Sequence, residues 1–152
     1  MRKILILVLS ADFPPYDKMV QTSLETWDSI EQEGCETVYY FGKSNKQNTD
    51  KFIYLPVQES LLSMGQKTLM AFEWALQNIE FDYIARPHSC IYVNKKELVK
   101  YIDSLPNENV FSGLMVEDKR PWLWGGCGYI ISKDVVKKLV DNKLRLDIRK
   151  ME

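Results

Sequence analysis

The chain has 152 residues, with 20 Lys and Arg against 21 Asp and Glu for a formal charge of −1, and it is 45% hydrophobic and 27% charged. That is the length and composition of one globular domain with a sizeable core, not of a disordered, collagen-like or disulfide-stapled chain. A near-zero charge without a polybasic stretch gives no electrostatic footprint for nucleic acid or an anionic membrane surface.

Three cysteines, at positions 35, 90 and 127, are odd in number, widely spaced and without a Cys-x-x-Cys pair. Reduced thiols in a cytoplasmic protein fit that usage best. The apolar run 4–9 after Arg2 and Lys3 mimics a signal peptide but is shorter than the ~7–15 residues of such a core. No stretch approaches the ~20 apolar residues that span a bilayer, so no transmembrane segment is expected.

Residues 3–10 (KILILVLS) form a continuous apolar run stopped by Asp12 and the Pro14-Pro15 pair, which reads as a buried strand of a parallel sheet. Over 16–32, Val20, Leu24 and Trp27 recur at helical spacing, and Gly34 closes that helix. Residues 36–41 (ETVYYF) read as a strand and 43–50 (KSNKQNTD) as an exposed loop. Residues 52–57 form a further apolar run, and Ser63-x-x-Gln66 reads as the capping box of a helix carrying Leu69, Phe72, Leu76 and Ile79 on one side. Residues 82–85 (DYIA) are a strand ending at Arg86-Pro87-His88-Ser89-Cys90, with a short strand expected beyond it at 91–93. Asn94-x-x-Glu97 caps a helix with Leu98, Val99 and Ile102 that stops before Pro106. Residues 109–116 read as a strand, 117–121 as a charged turn and 129–131 as a strand, and Ser132 caps a last helix through Val135, Val136 and Leu139.

Strands alternating with amphipathic helices from end to end predict a single α/β domain with a mostly parallel central sheet flanked by helices. Ligands of such sheets bind beyond the carboxyl ends of the strands, which directs attention to the loops at 10–15, 86–90 and 120–128. No Gly-x-Gly-x-x-Gly follows the first strand and no Walker motif occurs, which argues against dinucleotide oxidoreductases and P-loop enzymes. A receiver-type regulatory domain needs an acidic cluster at the strand ends, and Asp12 alone does not make one.

Arg86 and His88 flank a proline just past an apolar strand, where a cation suits a diphosphate. The plainer alternative pairs Arg86 with a carboxylate such as Asp82 and has His88 cap a turn. The segment 122–129 (WLWGGCGY) combines two tryptophans with three glycines, residues that let a backbone approach a ligand and offer faces for sugars or bases. Its alternative is a bulged strand entry with Trp122 and Trp124 as core anchors. Cys127 reads as a small buried thiol rather than a nucleophile, because the one histidine has no stated proximity to it. Lys67, in the first turn of its helix, is expected to be exposed but within reach of an anion.

Taken together, Lys67-Thr68-Leu69 with Trp74, then residues 81–84 (FDYI) up to Val93-Asn94, then residues 125–135 (GGCGYIISKDV) resemble the β-1,3-galactosyltransferase and Fringe-like glycosyltransferases in order and spacing. The resemblance covers residues 67–139. It implies a GT-A fold, a Rossmann-like nucleotide-sugar-binding sandwich, and inverting transfer of a hexose from a nucleotide-diphosphate sugar, a UDP-sugar first, to a glycan or other hydroxyl acceptor. It also implies an acidic triplet for Mn²⁺ or Mg²⁺, yet that triplet falls on His88, Ser89 and Cys90. Without those carboxylates Mn²⁺ or Mg²⁺ would lack its usual acidic ligands, so no metal ligand is assigned, and either the enzyme is metal-independent or the chain is not an enzyme. Positive charge for the leaving diphosphate then falls to Arg86, with His88 or Lys67. The family continues with an "EDV"-type segment supplying the general base, of which Glu152 would be the first residue in a C-terminally truncated domain or a short variant.

The expected site therefore comprises Ser10, Ala11 and Asp12 for the nucleotide, Lys67, Arg86 and His88 for the diphosphate, and Trp124, Gly125 and Gly126 for sugar or acceptor. Asp118 and Glu152 are the candidates for the base. The alternative function is a non-catalytic nucleotide- or carbohydrate-binding module on the same fold.

Overall fold

The computed structural model describes residues 1–119 and 121–146. In chain order these form β1 (Ile4–Leu9), α1 (Tyr16–Glu25), β2 (Cys35–Phe41), β3 (Phe52–Tyr54), α2 (Met64–Asn78), β4 (Tyr83–Arg86), α3 (Lys95–Ser104), β5 (Phe111–Gly113), β6 (Met115–Val116), β7 (Trp122–Leu123), β8 (Tyr129–Ser132) and α4 (Lys133–Asp141). Six strands make one sheet in the order β3-β2-β1-β4-β8-β5, and β6 and β7 pair as a separate hairpin. Strands β1 to β4 run parallel, while β8 lies antiparallel to both β4 and β5. The mostly parallel α/β sheet flanked by helices is thus present, with one reversed strand.

All six residues of β1 are apolar and buried, as a strand covered on both faces requires. Leu5, Leu7 and Leu9 pack with Ala71, Phe72 and Ala75 of α2 and Val136 of α4. Ile4, Ile6 and Val8 pack on the other face with Val20 of α1, Ile102 of α3 and Trp27. Truncating a side chain such as Leu7 to Ala costs about 2–5 kcal/mol, because it removes apolar contact and leaves a cavity between sheet and helix.

Local signals are overridden where tertiary contacts are stronger. The helix expected over 16–32 ends at Glu25, and Trp27–Ser29 form one 3-10 turn. That turn buries Asp28 where it meets Lys95 at 3.1 Å and Lys51 at 2.8 Å. Ser63 does not cap α2. Ser60 accepts the Ser63 N–H and caps a preceding 3-10 turn, Leu61–Ser63, while the Ser63 hydroxyl donates to the Gln58 carbonyl. Asn94 does cap α3, accepting the Glu97 N–H at 3.2 Å. The Ser132 hydroxyl is diverted from α4: it accepts the Val110 N–H at 3.0 Å and donates to Asp134 at 2.5 Å. The expected strand at 91–93 is absent, the run at 52–57 is strand only through Tyr54, and the strand expected over 109–116 splits at Leu114 between the main sheet and the hairpin.

Candidate functional site

The parallel strands end together at one edge, and β1 and β4 are extended there by irregular backbone. Leu9 N–H donates to the Pro87 carbonyl at 2.9 Å and Ser89 N–H to the Leu9 carbonyl at 3.0 Å, which sets His88 alongside Leu9. Ser10 is buried and ties across to β2 through its N–H on the Tyr40 carbonyl at 3.1 Å.

Lys67 enters this edge from α2. It is 2% exposed rather than solvated, because the helix turns it inward onto the strand ends. Its Nζ donates to the Ser10 carbonyl at 2.9 Å and pairs with Glu59. The second Glu59 oxygen accepts the Gly42 N–H at 2.7 Å, so one carboxylate joins the loop after β2 to α2. Beneath them the Tyr40 hydroxyl and Thr68 Oγ1 are hydrogen-bonded at 3.0 Å.

Above this floor lies a cavity of about 270 Å³ lined by Ser10, Ala11, Lys67 and His88, with Phe13, Tyr16 and Leu61 also on its wall. Phe13 and Tyr16 meet edge to face with centroids 5.3 Å apart. Four of the expected binding residues, from three separated stretches of chain, thus share one cavity. Glu59, Phe13 and Tyr16 were not singled out from the sequence, although Phe13 lies in the strand-end loop 10–15 and Tyr16 directly follows it. Asp12 does not line the cavity. Its carboxylate accepts from Lys46 at 2.7 Å and from Ser44 Oγ at 3.4 Å, and the Asp12 hydrogen bond holds Lys46 above the usual lysine range.

Arg86 lies apart from that cavity. It is fully buried, with its guanidinium 4.6 Å from the centroid of the Tyr129 ring. Asp82 is at the opposite end of β4, ~13 Å away along an extended strand, and accepts the Lys3 N–H at 2.7 Å, so the alternative Arg86–Asp82 pairing is ruled out. Arg86 borders a second cavity of about 360 Å³ between α3 and β5/β8, on which Cys127 also lies. Cys127 is exposed, against the expectation of a buried thiol, and it shares no cavity with His88.

Trp122 and Trp124 are 46% and 48% exposed and so are not core anchors. Trp124, Gly125 and Gly126 line neither cavity. The glycine that the backbone demands is Gly128, at φ +83°, where a Cβ would come within 3.1 Å of the Arg86 carbonyl oxygen and the Pro87 Cα. Asp118 is exposed in the β6–β7 turn, accepts the neighbouring Lys119 N–H at 2.6 Å, and lines neither cavity. Glu152 and Arg120 lie outside the described residues.

At the position of the expected acidic triplet, Ser89 is buried with its carbonyl accepting from the Ser23 hydroxyl at 3.2 Å, and Cys90 is exposed. The carboxylate in the first cavity, Glu59, is held by Lys67 and Gly42. Among the described residues no three His, Cys, Asp or Glu side chains converge to hold a metal ion. This donor set does not fit a hard divalent cation, which takes several oxygen ligands.

Sheet order, helical layers and a ligand-sized cavity at the carboxyl edge define a GT-A-like α/β domain. The chain is similar to the crystal structure of a 4-diphosphocytidyl-2C-methyl-D-erythritol synthase from Anaerococcus prevotii, with TM-score 0.55 over 99% of this chain and 79% of that one at 8% identity. It also matches the crystal structure of a glycosyltransferase involved in glycosylation of the major capsid of PBCV-1, with TM-score 0.49 over 94% of this chain and 68% of that one at 19% identity. The first likeness establishes the fold. No protein-family model matches the chain, and neither does any curated protein sequence. Among the described residues no helix is long and apolar enough to cross a membrane.

Proposed function

We propose that the 270 Å³ cavity receives the nucleotide part of a nucleotide-diphosphate sugar, and that the protein is a glycosyltransferase moving a hexose to a hydroxyl acceptor with inversion. The observation that carries this reading is the convergence of Ser10, Ala11, Lys67 and His88 at the carboxyl edge of a mostly parallel sheet, where such folds bind ligands. The fold shared with a diphosphocytidyl-forming synthase and the resemblance of residues 67–139 to β-1,3-galactosyltransferase and Fringe-like enzymes support it.

In this reading the aromatic wall at Phe13 and Tyr16 takes the base, and Lys67 with His88 faces the diphosphate. The bond from the anomeric carbon to the diphosphate oxygen breaks and its electron pair leaves with the nucleoside diphosphate. A bond to the acceptor oxygen forms, and the acceptor proton passes to a base, for which Asp118 and Glu152 are the candidates. Arg86, buried on Tyr129, acts by fixing the end of β4 rather than by touching the donor.

One observation favours the second reading, a non-catalytic binding module: Asp118 sits in an exposed turn away from the cavity. A thermal-shift panel of UDP, GDP, CMP and their sugar conjugates, each with Mn²⁺ and with EDTA, tests the first reading. Stabilisation by one nucleotide in EDTA supports it and names the donor, since a ligand of the native state raises its stability. No shift with any nucleotide overturns it. Stabilisation without any turnover of the sugar conjugate selects the module.

A further inference from the structure

The second cavity, about 360 Å³, takes no part in the donor site above. It opens on the α3 face of the sheet, where Ala85 of β4 and Ile130 of β8 form its floor. Among the described residues that line it, Arg86 alone is charged. Arg86 alternates with Ala85 along the strand, so its side chain belongs to the opposite face, where it stacks on Tyr129 in the α2/α4 layer. Among the described lining residues the polar side chains on the α3 side, Tyr92, Asn94, Tyr101 and Ser112, are therefore all uncharged, which suits a neutral ligand better than a phosphate or carboxylate.

That wall is aromatic and hydrogen-bonding at once. Tyr92 and Tyr101 line it and are 65% and 46% exposed, so their ring faces are accessible to a ligand. The Tyr101 hydroxyl and Ser112 Oγ lie 2.8 Å apart and share one hydrogen bond, which leaves one donor and several lone pairs between them. Asn94 uses its Oδ1 to cap α3 and presents an Nδ2 with two donors. Flat apolar ring faces beside uncharged donors and acceptors match the two surfaces of a pyranose, its C–H face and its hydroxyl rim. The first cavity lies just across the strand-end segment: His88, Ser89 and Cys90 border that one, and Ile91, Tyr92 and Val93 this one.

We infer that the second cavity is a binding subsite for a neutral saccharide, with Tyr92 as its stacking platform and Asn94, Tyr101 and Ser112 as its polar contacts. This rests on reading the chain as a sugar-handling protein, and it deepens that reading by making the acceptor an uncharged glycan rather than a phosphorylated or acidic one. In this proposal the α3–β5 groove holds the saccharide, whereas Trp124, Gly125 and Gly126, the sugar or acceptor contacts expected from the sequence, line neither cavity.

The test is a titration of isotopically labelled protein, without nucleotide, by methyl β-D-galactopyranoside, lactose and maltose, followed by amide chemical shifts. The expected result is saturable shifts at Tyr92, Asn94, Ser112 and Gly113 for at least one sugar. Tyr92→Ala, a change at an exposed side chain, weakens that binding by about three- to tenfold, the share of one aromatic contact. Tyr101→Phe serves as a second variant that keeps the ring and loses the hydroxyl. No shift at tens of millimolar sugar, shifts confined to Lys67 and His88, or binding unchanged in both variants overturns the inference. Stronger shifts at the same amides from uridine, cytidine or guanosine also overturn it, in favour of a nucleoside pocket. Nucleotide stabilisation reads the other cavity, so sugar shifts without nucleotide binding retain this site and remove the donor reading, and the converse does the reverse.

Discussion

Gly128 joins the glycine-rich segment to β8, and its replacement by alanine tests whether that segment shapes the site by its backbone. At φ +83° and ψ 164° it occupies a region essentially reserved for glycine. Forcing a side chain there costs about 1–3 kcal/mol. The added Cβ would also sit 3.1 Å from both the Arg86 oxygen and the Pro87 Cα, backbone atoms of the paired strand that cannot swing away, so a further 1–2 kcal/mol or so of overpacking follows. A total of about 3 kcal/mol, at ~2–4 °C per kcal/mol for a chain of this size, lowers Tm by roughly 6–12 °C. Gly126→Ala is the control: its Cβ would meet the Trp124 indole at 2.7 Å, but that side chain is 48% exposed and free to rotate, so the cost stays under about 1 kcal/mol. Urea unfolding of both variants at constant slope makes the measurement. If Gly128→Ala is no more destabilised than Gly126→Ala, the close backbone approach at Arg86 and Pro87 does not hold in solution.

Three further predictions concern charges. Asp28→Asn leaves Lys95, whose side chain is 8% exposed, facing backbone carbonyls and the Trp27 ring without a counter-charge, and costs about 3–5 kcal/mol by urea unfolding; adding Lys95→Met returns most of it, and strict additivity of the two losses would refute the pairing. Burial alone would raise the Asp28 carboxyl, but hydrogen bonds from Lys51 and Lys95 outweigh it and hold it below the ordinary aspartate range. A carboxyl depressed on folding adds stability above its unfolded pKa of ~3.9 that is lost as pH falls through the folded value, so Asp28→Asn flattens the acid limb of stability against pH. Lys67→Met is expected to abolish nucleotide stabilisation in the thermal-shift panel while leaving the sugar-induced shifts at Tyr92 intact; loss of both would show that the substitution collapses the sheet edge as a whole.

Most of the fold was legible in the sequence because its signals are local and repeated. The apolar run of β1, the Leu69–Phe72–Leu76 stripe of α2 and the Asn94 cap of α3 each declare themselves within a few residues. What was misread depends on partners distant in the chain. Trp27 continues a helical spacing, yet its neighbour Asp28 is drawn out of the helix by Lys95, 67 positions on. Ser63 fits a capping box, but its hydroxyl finds the Gln58 carbonyl first. At the site, Ser10, Ala11, Lys67 and His88 converge as strand-end logic implies. Lys67 looked solvated because its position in the first turn says nothing about Glu59 and the Ser10 carbonyl waiting inside. The tryptophans and glycines of 122–126 drew attention by composition alone, while Tyr92 and Tyr101 were two ordinary aromatics until the fold set them around one cavity.

The most direct test of the donor site is amide hydrogen exchange with and without the nucleotide that raises Tm in EDTA. Slowed exchange is expected at residues 10–16, 59–67 and 88–90, the three stretches that enclose the first cavity. Protection elsewhere with none at these segments would contradict the donor site.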